Sequence, residues 1–99
     1  MVETKDISSE EILLYSRKVV SHFVSKGTVP KRNAEDTIMY VVEKFLLKKE
    51  SIINNFRGNS KFSTYIISVL NKMCLEVIRK EIKHWNYPNQ DYDFGRLFS

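Results

Sequence analysis

Ile38, Val41, Val42, Phe45 and Leu46 fall at i, i+3, i+4, i+7 and i+8, the spacing of a helix with one buried stripe. Met39, Tyr40 and Leu47 interleave with that stripe and point away from it. A 99-residue chain builds one modest core, and one side of a small core cannot cover a helix that is apolar on two faces. Either the domain wraps this helix on both sides or a partner does. Two more helical stripes flank it: Ile12, Val19, Val20, Phe23 and Val24 before, and Phe62, Ile66, Val69, Leu70, Met73 and Val77 after. No strand alternation persists for more than a few residues. The chain is therefore read as all-α, a compact bundle of three to four helices.

Local chemistry marks where these helices begin and end. Ser8 and Glu11 have the spacing of a capping box, Ile7 and Ile12 are placed to staple it, and Gly27 supplies a stop, which predicts a first helix over residues 9–26. The break Gly27-Thr28-Val29-Pro30-Lys31-Arg32 is polar and too short for another element. Asn33 is expected to cap the second helix, with Glu35 and Asp36 on its first turn, where the helix dipole favours acidic charge. A helix end or a short extra turn follows, and Ile52, Ile53 and Phe56 anchor the next loop against the core. The last helix is capped by Ser60 or Ser63 and runs to about Trp85. Its outer face collects Lys61, Ser68, Lys72, Glu76, Arg79, Lys80 and Lys83. Beyond it Tyr87, Tyr92, Phe94 and Phe98 alternate with Pro88, Asp91, Asp93 and Gly95, either as a linker or as an aromatic strap that folds back.

Charge is unevenly placed. Residues 1–36 carry equal numbers of acidic and basic side chains, residues 37–84 carry nine basic against four acidic, and residues 85–99 carry Arg96 against Asp91 and Asp93. A basic surface confined to one stretch fits a polyanionic partner, because neutralising phosphates releases counterions. A solvated, lysine-rich helical face is the plain alternative. Cys74 is the only cysteine, which excludes an intramolecular disulfide and a cysteine zinc site and suits a reducing, cytoplasmic compartment. No signal pattern or membrane-length apolar run is present, so no membrane association is expected. Chemistry finds little footing. His22 and His84 share no metal-ligand spacing with carboxylates, no glycine-rich phosphate loop occurs, and Cys74 sits in an apolar helical pattern. Glu35 and Asp36 read as helix-dipole charge. Neither a catalytic activity nor a metal or cofactor is expected.

The most specific segment is Phe56-Arg57-Gly58-Asn59-Ser60-Lys61-Phe62-Ser63-Thr64-Tyr65-Ile66. It joins a loop glycine, two cations, small donors and three aromatics. Cations hold a phosphate backbone, donors read the edge of an unpaired base, and aromatic faces stack on bases at about 1–3 kcal/mol each. Phe56 and Phe62 read as packing residues that bracket a tight turn. Arg57, Asn59, Lys61 and Tyr65 read as contacts.

Ala34-Glu35-Asp36, the segment from Phe56 to Ile66, and Glu76-Val77-Ile78-Arg79-Lys80 together resemble region two of bacterial RNA polymerase sigma factors, the core-binding and promoter-melting domain, most nearly of the extracytoplasmic-function type. The resemblance covers residues 11–83, and the order and spacing of its three blocks are more specific than any one block. It implies a helical domain over residues 1–85, followed by the aromatic and acidic tail at 86–99. It implies a surface for the clamp coiled coil of the polymerase largest subunit at Glu35, Asp36, Met39, Tyr40 and Glu43. It implies a second surface for melted, single-stranded promoter DNA at Arg57, Asn59, Ser60, Lys61, Tyr65, Asn71, Lys72, Arg79 and Lys80.

The chain departs from that family at several positions. Met39 stands where glutamine is usual, Tyr65 where tryptophan is common, Asn71-Lys72 where an Arg-Asn pair is typical, and Glu76 where aspartate is usual. A complete sigma factor also carries a helix-turn-helix domain, for which 99 residues leave no room, as in an excised fragment or a stand-alone relative. The expected function is thus a transcription-initiation domain that binds core RNA polymerase and the melted upstream promoter element. The alternative is a sigma-like interaction module that holds the polymerase clamp or an anti-sigma protein without reading DNA.

Overall fold

The computed structural model describes residues 6–81, and within them every regular element is helical. Helix α1 spans Ser9–Ser25, α2 Ala34–Leu47, α3 Lys49–Asn54 and α4 Phe62–Glu81. The all-α bundle expected from the three stripes is what forms. Residues 82–99, with the expected helix end near Trp85, Lys83, His84 and the aromatic tail, lie outside the described residues.

The start of α1 is built as its sequence directs. The Ser8 hydroxyl accepts the Glu11 N–H at 3.1 Å, and the Glu11 carboxylate accepts the Ser8 N–H at 3.2 Å. Ile7 and Ile12 are both buried beside this box. At the other end, Gly27 adopts φ +79°, which a residue with a Cβ enters only with strain. The Gly27 N–H then donates to the Val24 carbonyl and the Thr28 N–H to the Phe23 carbonyl, both at 2.9 Å. This paired closure satisfies carbonyls that a bare helix end would leave open.

The break before α2 corrects the sequence reading. It is not empty: Lys31–Asn33 form a 3₁₀ turn that runs directly into α2, and Thr28 and Val29 ahead of it are buried. Nor does the Asn33 side chain cap the helix. An N-cap side chain needs extended backbone to reach forward, whereas Asn33 has φ −101° and ψ 3° because the 3₁₀ turn holds it. The Asn33 carbonyl instead accepts the Thr37 hydroxyl at 2.8 Å, and its side-chain oxygen has no partner.

The core lies among α1, α2 and α4, each of which packs on the other two. Helix α2 contributes Ile38, Val41 and Phe45; α1 contributes Ile12, Val19, Val20 and Phe23; α4 contributes Ile66, Leu70, Met73, Cys74, Val77 and Ile78. Ile52 brings α3 into the same cluster. Two positions stand out from the expected stripes, while Val24, Val42, Phe62 and Val69 are only partly buried and Thr37, Cys74 and Ile78 are buried outside them. Leu46 stays 44% exposed, because the core is filled before the stripe reaches the end of α2. Ser16, polar in sequence, is fully buried with an unpartnered hydroxyl. Two surface ion pairs add register: Arg17 reaches both Glu35 oxygens, the nearer at 2.9 Å, and Lys44 lies 3.8 Å from Glu76. Exposed pairs of this kind contribute at most about 1 kcal/mol.

Phe45 is the largest side chain sealed in the core. Phe45→Ala should lower the unfolding free energy by about 3–5 kcal/mol, a large share of the ~5–15 kcal/mol a domain of this size holds; urea titration followed by circular dichroism measures it. Cys74 is also sealed, and burial raises its thiol from 9.0 to about 12. The unfolded chain releases this proton first, so stability should be unaffected below about pH 9 and fall as pH rises from there toward 12. Ellman's reagent at pH 8 should find no reactive thiol until denaturant is added.

Candidate nucleic-acid interface

The loop between α3 and α4 is held by three rings. Phe56 meets Phe62 edge-on with centroids 5.2 Å apart, and Tyr65 tilts against Phe56 at 5.1 Å. The Tyr65 hydroxyl donates to the Ile52 carbonyl at 2.6 Å, satisfying an acceptor near the C-terminal end of α3, where helical partners run out. Phe56 and Phe62 are packing residues, as their spacing suggested. Tyr65 is a correction. The sequence reading offers it as a free stacking face, yet its ring is half-buried in this cluster and its hydroxyl is engaged.

Above the rings the backbone turns at Gly58, with φ +78°, the second place where the chain requires glycine. The turn brings Asn55, Phe56, Arg57, Asn59, Ser60 and Tyr65 around one cavity of about 170 Å³. Four residues expected to contact DNA thus converge: Arg57, Asn59 and Ser60 from the loop and Tyr65 from α4. The Ser60 hydroxyl donates to the Lys61 carbonyl at 3.2 Å, and Ser63 lies inside α4 as its second residue. Lys61 is exposed at the head of α4, and Lys72 and Arg79 are exposed on the same side of that helix, at i+11 and i+18.

Two expected contacts go elsewhere. Asn71 faces α1, where it shares a groove of about 200 Å³ with Lys18, Val19, His22 and Ile67. Lys80 faces α2, where it shares a groove of about 210 Å³ with Tyr40, Glu43, Lys44, Leu47, Val77 and Glu81. The nine residues therefore form a loop cavity, an outer ridge and two flanks, not one patch. The cause is the helical period: each residue advances about 100°, so neighbours such as Asn71 and Lys72 serve different faces.

The expected polymerase-facing residues stay together on α2. Met39, Tyr40 and Leu47 are 53%, 47% and 86% exposed, and Asp36 and Glu43 are exposed beside them. The second apolar face is thus left uncovered by the described residues. Glu35 is exposed as well, but its carboxylate is already engaged by Arg17. Sequence reasoning missed Asn55, Lys18 and His22. Lys18 and His22 stand one helical turn apart on α1, a spacing that marks them as neighbours but says nothing about α4.

Compared with known proteins, the chain matches no family model, no curated protein and no solved structure. Among the described residues no helix is long and apolar enough to cross a membrane.

If the Tyr65 hydroxyl ties the loop to α3, Tyr65→Phe should leave the Ile52 carbonyl without its partner and cost about 1–2 kcal/mol. Hydrogen exchange should then quicken at residues 55–61 more than in α1, a pattern that a uniform loss of stability would not produce.

Proposed function

We propose that this chain is a sigma-region-two-like transcription-initiation domain that binds core RNA polymerase and melted promoter DNA. The observation that carries the reading is the convergence of Arg57, Asn59, Ser60 and Tyr65 on one cavity at the head of α4. A guanidinium supplies a phosphate contact, and an amide and a hydroxyl offer donors and acceptors to the edge of an unpaired base. Lys61, Lys72 and Arg79 continue basic charge along the outer ridge, where a strand leaving the cavity meets it. Flipping a base costs a few kcal/mol, so the isolated domain binds free DNA weakly and polymerase supplies the rest. The uncovered face of α2, with Met39 and Tyr40 between Asp36 and Glu43 and Leu47 one turn beyond, supports a protein partner on a different side. In this reading the chain performs no chemistry. It acts in the cytoplasm as a regulator of transcription, within reach of an anti-sigma protein.

One observation favours a second reading, a sigma-like interaction module that holds the polymerase clamp or an anti-sigma protein without promoter readout. Tyr65 is engaged by its own fold, and Lys80 sits with Glu43 and Glu81. One experiment separates the two. With bacterial core polymerase and a promoter library, permanganate mapping of unpaired thymines should show opening reduced at least tenfold by Arg57→Ala with Lys61→Ala. Unchanged opening, or none with the unaltered chain, would leave only the interaction module. Tyr40→Asp should abolish co-purification with core polymerase under either reading, and retention of that binding would remove both.

A further inference from the structure

The groove between α1 and α4 is not explained by either surface described above. Its walls are Lys18 and His22 from α1 and Asn71 from α4, and its floor is Val19 and Ile67. Lys18, His22 and Asn71 are exposed, Ile67 is 37% exposed, and Val19 is buried. The His22 ring stands edge-on to Phe23 with centroids 5.6 Å apart. No carboxylate lines this groove among the described residues, whereas Glu43 and Glu81 line the groove on the other flank of α4.

Each component suits part of one nucleotide. An ammonium holds a phosphate, an amide pairs with a base edge through a donor and an acceptor together, and an apolar floor takes a ring face. At about 200 Å³ the groove lies below the ~300–1,000 Å³ of sites for drug-sized ligands, so it takes a single ring. Asn71 also connects the groove to the outer ridge, since Lys72 is its chain neighbour. From the head of α4 at Phe62 to Asn71 the helix rises about 14 Å at ~1.5 Å per residue. A single strand crosses that distance in no more than about four nucleotides at ~3.4 Å each.

We propose that the α1/α4 groove is a second nucleotide site, made by Lys18, His22 and Asn71, that takes a base of the same single strand whose earlier part enters the loop cavity. The proposal rests on the strand-binding reading of that cavity. It names a contact surface on α1, where the charge count of the sequence is neutral overall and points to nothing. A free mononucleotide offers the same chemistry, and strand length separates the two sources.

The test uses the whole chain and fluorescein-labelled single-stranded oligonucleotides of random sequence, 2 and 14 nucleotides long, titrated by anisotropy at several salt concentrations. Lys18→Gln with Asn71→Ala should weaken the 14-mer about five- to tenfold and leave the dinucleotide, too short to reach from the cavity to the groove, unchanged. The 14-mer's dependence of log affinity on log salt should become shallower by about 0.7, the value for one lost phosphate contact on a single strand. Lys31→Gln removes the same charge outside the groove and should change neither length. An equal loss for both lengths, no loss for either, or an equal effect of Lys31→Gln overturns the proposal. So does a millimolar mononucleotide that displaces the 14-mer from the unaltered chain as well as unlabelled 14-mer does. Arg57→Ala with Lys61→Ala tests the parent reading separately, because it should weaken both lengths. If that variant binds normally, the loop reading fails and the groove proposal falls with it; if it weakens both lengths while the Lys18 and Asn71 variant loses nothing, the groove proposal alone fails.

Discussion

One core must serve three helices at once. Helix α2 packs against both α1 and α4, and the side chains it gives to that junction, Ile38, Val41 and Phe45, are almost wholly removed from water. Once they are in place there is no second interior. Met39, Tyr40, Leu46 and Leu47 therefore remain on the outside, although their composition is that of core residues. This leftover face is a consequence of packing arithmetic in a small domain. It is also the observation that supports the proposal of a protein partner on α2.

The same limit explains how the loop before α4 keeps its shape. A segment so rich in small polar residues has little apolar surface with which to hold itself. Phe56 and Phe62 make an edge-on pair beneath it, and Tyr65 adds a ring and a hydrogen bond to the Ile52 carbonyl. Order in the cavity is thus imposed from below. Arg57, Asn59 and Ser60 are carried around one cavity while staying exposed, which suits side chains whose partner comes from solvent. Preorganisation of this kind lowers the entropy lost on binding. It also uses the hydroxyl of Tyr65, which is engaged by the Ile52 carbonyl.

Features set by near neighbours were legible in the sequence. The Ser8–Glu11 box and the stop at Gly27 depend on contacts within a few residues and form as read, and the segment read as a helix end or a short extra turn is the short helix that holds Ile52. Misreadings arose where a distant or unexpected contact intervened. Asn33 lost its capping geometry to a 3₁₀ turn that its own neighbours began. Leu46 continues a perfect stripe but lies past the end of the core. Tyr65 finds its partner thirteen residues back, in α3. At the site, the loop residues were legible as a group because they are contiguous. The separation of Asn71 from Lys80 was not, since it depends on which helix each side of α4 faces.

Charge completes the division of labour among these surfaces. Lys18 stands in the α1/α4 groove with no carboxylate on its walls, and Arg57 stands over a cavity whose other lining residues are uncharged. On the opposite flank Lys44 and Lys80 are matched by Glu43 and Glu81, and Lys44 also reaches Glu76. A polyanion approaching α4 meets uncompensated positive charge on the first side and a near-neutral, partly acidic groove on the second. Attraction of this sort acts before contact and weakens with salt, so it sorts partners by direction of approach as well as by fit. The flank with the weaker pull on phosphate is the one that carries exposed Tyr40 and Leu47. A chain with a single core can therefore present two partners with separate faces, provided its carboxylates gather on the helix that was left with apolar surface to spare.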